Sequence, residues 1–409
     1  MTPGNANSPD VDAAVEAASR WLVSEQSVDG GWAERRGENL SSLNTAEAVL
    51  ALLQVKDRLA AAAAAIQRGV RFIESKQLNG GEHDGAWARE AGGLILPDVV
   101  RTGVIIEALA EASPADNRDS VRRGVAWLRR VQDTAAGGWA FRPGEPPEVL
   151  PTCFALSGLL ASYNGDDGDA KAVRLGLAFV SGKIDGSGAV GEADALQAVR
   201  TAYAAFCLQR ATRRELNVHQ SAEASVIAWL DQEEHRLQAI QEAEVVVRVG
   251  PDRQPANGDY VFVFMTEALV LRVLSDADAA HRSGPLATSA LQMLWTGRDQ
   301  SSGGFYGRRR TSWATARAVH ALTASHASTV EPLRRSVPPL APYLILALLV
   351  LLVAAVVVLS LAHDLGVVSA ALFIFVALAA LVAYGLISEN TFARLVDRLL
   401  GVFDTGRPS

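Results

Sequence analysis

Trp127-Leu128-Arg129-Arg130-Val131-Gln132, Gly137-Gly138-Trp139 and Pro151-Thr152-Cys153-Phe154-Ala155-Leu156-Ser157-Gly158-Leu159 form one unit of a repeat. A helix bearing an aromatic ends on a Gln. A glycine turn then carries a second aromatic, and a Thr opens a long apolar helix. Upstream the order recurs as Trp21, Gln26, Gly30-Gly31-Trp32, Thr45 and as Phe72, Gln77, Gly85-Ala86-Trp87, Thr102. Downstream it weakens to Phe179, Gly186-Ser187-Gly188, Thr201, and then to Trp229 and Thr266 across a long insertion. It returns as Trp295, Gln300, Gly303-Gly304-Phe305, Thr315. A fixed period of this kind marks a repeat architecture. One helix pair cannot bury its apolar face, whereas six closed in a ring bury all of them. The expected fold is all-α: an α/α toroid of six helical hairpins over residues 11–330, after a polar, disordered tail over residues 1–10.

Each part of the unit has a physical reading. Thr is a good N-cap, so its recurrence marks six helix starts. The glycines permit the positive φ that ends the preceding helix, and the turn aromatic can wedge between repeats. Helices that open at Thr are the more uniformly apolar, as in Val49-Leu50-Ala51-Leu52-Leu53, and are assigned to an inner ring.

The character of the chain changes near Pro338. Residues 340–361 and 366–388 hold no charged side chain, and each run exceeds the roughly 20 residues that cross a bilayer. A linker over 331–339 would lead into a transmembrane hairpin over 340–388. Arg334, Arg335, Arg394, Arg398 and Arg407 flank it and its loop has no Lys or Arg. The positive-inside bias then places the ring and both termini in the cytoplasm, against the inner membrane. Residues 389–409 read as a juxtamembrane amphipathic helix and tail, with Phe392, Leu395, Val396, Leu399, Leu400 and Phe403 at helical spacing. A net charge of −7 and the lack of a basic stripe argue against nucleic acid. Two cysteines, Cys153 and Cys207, build neither a disulfide framework nor a zinc motif.

The Gln…Gly-Gly-Trp turns resemble the QW repeats of squalene and terpenoid cyclases. Pro151-Thr152-Cys153-Phe154-Ala155-Leu156-Ser157-Gly158-Leu159 resembles a run in protein prenyltransferase β subunits. The resemblance spans residues 11–328 and implies the toroid fold. It also implies two chemistries, a D-x-D-D-T acid ahead of an inner helix or a zinc-held thiolate. Neither motif stands here. Ahead of Thr102 come Asp98, Val99, Val100 and Arg101, and ahead of Thr152 come Glu148, Val149, Leu150 and Pro151. Pro151 occupies the place of the zinc-binding His, and Ala314 and Ala316 those of the Asp and Cys. No metal or cofactor is expected, and Asp98, Glu148 and Glu267 are the nearest candidates for an acid.

Arg101 and Arg200 precede inner-helix threonines, and Arg308 and Arg310 lie just before the sixth inner helix. Helix N-termini favour anions, so these arginines, with His320, are candidates for an anionic or isoprenoid-like ligand. Ion pairs within the ring are the alternative reading. Asp166-Asp167-Gly168-Asp169 reads as a solvated loop. The expected function is a membrane-anchored binding, sensing or effector module for an apolar or isoprenoid-like ligand or a protein partner. The alternatives are a divergent terpenoid cyclase or prenyl-diphosphate enzyme at the membrane, and a ligandless scaffold.

Overall fold

In a computed structural model the residues described are 8–91, 94–112, 118–216, 220–232, 235, 239, 243–247, 260–305 and 311–335. The chain divides into two compact units, Met1–Val330 and Glu331–Ser409. The first unit alternates outer and inner helices. The outer helices are α1 (Ser8–Glu25), α3 (Ala60–Ser75), α5 (Arg118–Val131), α7 (Asp167–Ser181), α9 (Gln220–Leu230) and α11 (Pro285–Thr296). The inner helices are α2 (Ser42–Leu53), α4 (Val99–Ala112), α6 (Val149–Ser162), α8 (Gln197–Arg213), α10 (Thr266–Ser275) and α12 (Ser312–Arg335). The sequence separates the two sets. From Val149 to Leu160, α6 is buried at every position, whereas α5 carries Arg122, Arg123, Arg129 and Arg130 on its outer face.

The fold is not purely helical. Among the described residues three antiparallel strand pairs lie between outer and inner helices: Trp32–Ala33 with Leu40–Ser41, Ala88–Ala91 with Leu94–Pro97, and Ala243–Val247 with Tyr260–Phe264. The last pair, β5 and β6, belongs to the long insertion of the fifth repeat.

The first three turns are fastened by the same bonds. The Gln side-chain amide donates to a turn glycine and to the next outer helix: Gln26 to Gly30 and Ala65, Gln77 to Gly85 and Ser120, Gln132 to Gly137 and Ala172. Each turn Trp is fully buried and its indole N–H donates back to the preceding outer helix, at Leu22, Ile73 and Leu128. The Trp backbone N–H donates to the threonine hydroxyl oxygen at 2.9, 3.1 and 2.9 Å for Thr45, Thr102 and Thr152.

That last bond corrects the capping role read from sequence. Thr45, Thr102, Thr152 and Thr315 lie one turn inside their helices, not at the cap. The cap of α2 is Ser41, which accepts the Asn44 N–H. A hydroxyl can accept from the turn while donating to the carbonyl four residues back, as Thr152 does to Glu148 at 2.6 Å. The threonine thereby ties turn to helix. One glutamine also changes place. By the bridge to the turn residue, Arg298 of the sixth repeat, bridged to Phe305, matches Gln77, bridged to Trp87, and Ile184, bridged to Val190, holds that position in the fourth. Gln300 is an exposed turn residue.

The ring closes where the sixth turn docks on α1. A Cβ on Gly303 would lie 2.9 Å from Ala17, Ser312 donates its N–H to Glu34 O at 3.1 Å, and its hydroxyl donates to Ala33 O at 2.6 Å. α1 begins at Ser8, inside the stretch read as a tail, and α12 runs to Arg335, into the stretch read as a linker. The transmembrane hairpin at 340–388 and the helix at 389–409 lie outside the described residues. Among the described residues no helix is long and apolar enough to cross a membrane.

Candidate functional site: the lumen of the ring

Six inner helices face a common axis, and the repeating threonine sets their register. Two residues before it stand Leu43, Val100, Leu150, Val199, Phe264 and Trp313. All six are apolar, and all but Leu43 and Trp313 are fully buried. Two residues after it stand Glu47, Val104, Phe154, Tyr203, Ala268 and Arg317. Between these layers lies a cavity of about 20 Å³, lined by Leu43, Glu47, Val100, Val104, Phe154, Tyr203 and Arg317 among others. That is room for about one water. The Phe154 and Tyr203 rings lie 4.6 Å apart, and Phe264 closes over them at 6.4 and 5.8 Å.

Deeper in, the lumen is filled by charge. Arg317 of α12 pairs with Glu47 of the neighbouring α2. Arg210 of α8 reaches past α6 to pair with Glu107 of α4 and bonds Glu111 at 2.8 Å. Arg272 of α10 stands 3.7 Å from Glu107. Ser157 donates to Glu107 and accepts from Arg210 at 3.0 Å. Phe206 lies beneath the guanidinium groups of Arg272 and Arg210, at 4.3 and 5.2 Å. The three arginines balance the three carboxylates.

Burial alone would raise the Glu107 carboxyl, but Arg210, Arg272 and the Ser157 hydroxyl outweigh it and hold the group down to about 2. Burial pushes the Glu47 carboxyl up against the pull of Arg317. Burial, with Arg272 nearby, holds His320 well below its ordinary value, so this imidazole of the same layer is neutral.

The residues singled out from sequence are placed as follows. Asp98 accepts the Arg101 N–H at 3.1 Å, as a cap on α4. Glu148 is exposed, with its carbonyl taken by Thr152. Glu267 is buried at the second position of α10. Arg101 staples α4 to the start of α2 through Ser41 and Ser42, at 3.3 and 3.1 Å. Arg200 bonds Val190 O, Glu192 O and Asp194. Arg308 and Arg310 lie outside the described residues. His320 alone of the set lies among the lumen charges. Asp166 caps α7 by accepting the Gly168 and Asp169 N–H groups. Glu111, Arg210 and Arg272 were not singled out from sequence, although their offsets from the threonine mark them. Among the described residues no group of three His, Cys, Asp or Glu could hold a metal ion. Cys153 and Cys207 are free and buried.

No family model and no curated protein matches this chain. Solved structures do. An inactive variant of an α-1,6-mannanase of Salegentibacter, in complex with α-1,6-mannotriose, is 12% identical over 78% of this chain and 100% of its own, with a TM-score of 0.53. The type II terpene cyclase MstE from Scytonema, as apo enzyme, is 14% identical over 78% and 99%, with a TM-score of 0.52. A D-mannose isomerase is 11% identical over 80% and 99%, with a TM-score of 0.56. The fold is that of the α/α toroids. Identities this low carry the fold alone.

Proposed function

We propose that this chain is a non-catalytic toroid, attached to a membrane by its C-terminal apolar runs, that binds or senses an apolar ligand or a partner at the inner-helix mouth. The observation that carries the reading is the lumen itself. The position two residues before each threonine holds an apolar side chain, and the carboxylates below are matched by arginines. An acid able to protonate an alkene must be neutral and in reach of its substrate. Glu107 is held ionised, and Asp98, though raised by burial, has one oxygen in the α4 cap and does not line the cavity.

One observation favours the alternative of a divergent cyclase. Glu47 lines the small cavity beside Phe154 and Tyr203 and is raised by burial. Its pairing with Arg317 opposes that role. Incubation of the full chain with squalene or with geranylgeranyl diphosphate separates the two. The binding reading expects substrate returned unchanged. A cyclised or hydrolysed product, lost in Glu47→Gln, would establish the enzyme. The membrane part is tested by vesicle flotation of the full chain against a chain ending at Arg335. Equal behaviour of the two would remove it.

A further inference from the structure

The fifth repeat differs from the other five in how its mouth residue is mounted. Leu43, Val100, Leu150, Val199 and Trp313 each sit in the first turn of an inner helix. Helix α10 starts only at Thr266, so Phe264 lies on β6, paired with Ala243 of β5. The bond that ties turn to helix is also missing there. Thr45, Thr102, Thr152, Thr201 and Thr315 each accept a turn N–H. The Thr266 hydroxyl is buried with no hydrogen-bond partner.

Phe264 is nonetheless 4% exposed, against Phe154 and Tyr203. We propose that Phe264 on the β5–β6 hairpin is an internal plug, and that its withdrawal opens the pocket beneath to a compact, uncharged, apolar or aromatic group. The backbone of each other mouth residue is held in the hydrogen-bonded first turn of an inner helix. Phe264 can leave if β6 swings away, because no threonine bond holds its turn. The vacated space is walled by Val100, Val104, Phe154 and Tyr203, with the Glu47–Arg317 pair as a neutral floor. This follows from the mounting of Phe264 and holds whether the ring binds its ligand or converts it.

Hydrogen exchange on the full chain in nanodiscs tests the plug. Peptides over 260–265 are expected to exchange at least tenfold faster than those over 149–154, the equivalent helix-mounted segment. Equal rates, both limited by unfolding of the ring, would overturn it. Indole is the probe for the pocket. Phe264→Ala is expected to bind one indole at least tenfold more tightly than the unaltered chain, and Phe264→Leu serves if the alanine variant does not fold. Equal affinity of a folded variant and the unaltered chain would sink the assigned pocket.

Discussion

Gly69, Gly124 and Gly176 show how single residues set the spacing of this ring. A Cβ on each would fall 3.0, 2.9 and 2.7 Å from the ring of Trp32, Trp87 and Trp139 in the preceding turn. A large turn residue therefore meets no side chain on the next outer helix. Where the turn residue is Val190 the matching residue is Val226, and at ring closure Phe305 is matched by Ala18. Gly176→Ala is expected to cost about 1–3 kcal/mol by overpacking. Trp139→Phe should restore part of it, giving a favourable coupling in a double-mutant cycle by denaturant unfolding. Strict additivity would mean the two do not share space. The tie between turn and helix is tested at the same scale. Thr152→Val keeps the shape but strands the buried Trp139 N–H, at a cost of about 1–3 kcal/mol. Thr152→Ser should lose clearly less, because it keeps the acceptor.

At the scale of the helix, the ion pairs explain what was legible and what was not. The hairpin order, the six repeats and the split into inner and outer helices could be read from Gln, Gly, Trp and Thr, because their contacts recur: the Gln and Trp bonds in the first three turns and the threonine bond in five of the six repeats. The lumen contents recur less simply. Glu47 and Arg317 share one layer but come from the two ends of the chain, and Glu107, Arg210 and Arg272 stand at other offsets on three different helices, so no local spacing joins Glu107 to Arg210. Fixed offsets from the threonine would have placed each of them in the lumen, though not named its partner. Arg101 and Arg200, at helix starts, read as candidates for an anionic ligand, with ion pairs within the ring as the alternative. Their partners, Ser41, Ser42 and Asp194, become neighbours only through the local fold. Because the Glu47–Arg317 pair is buried, removing one member should hurt more than removing both. Arg317→Met alone is expected to cost about 3–5 kcal/mol by leaving Glu47 unpaired. Adding Glu47→Leu should recover most of it in thermal unfolding. A double variant no more stable than the single one would show that the pair stabilises the ring in its own right.

At the scale of the whole ring, Glu107 gathers bonds from α6 and α8 and a close charge from α10, so its ionisation links helices that do not adjoin in sequence. Its folded value of about 2 lies below the ordinary 4.5. Its stabilising contribution is therefore complete above pH about 4.5 and is lost as pH falls toward about 2. The shift corresponds to about 3 kcal/mol at most. Glu47, Asp98 and Glu111 are shifted the other way, with burial the largest cause in each. Their folded forms take up protons first, so these groups favour the ring slightly as pH falls, and they oppose the loss at Glu107. The acid limb should therefore be shallow at first and steepen below pH about 4.5. Unfolding temperature followed from pH 6 to pH 2 checks this. Glu107→Gln is expected to start lower and to lose less across pH 4.5 to 2 than the unaltered chain. Parallel curves would place the acid sensitivity outside the lumen, and Glu107 would then be a packing residue of α4 with no electrostatic hold on the other inner helices.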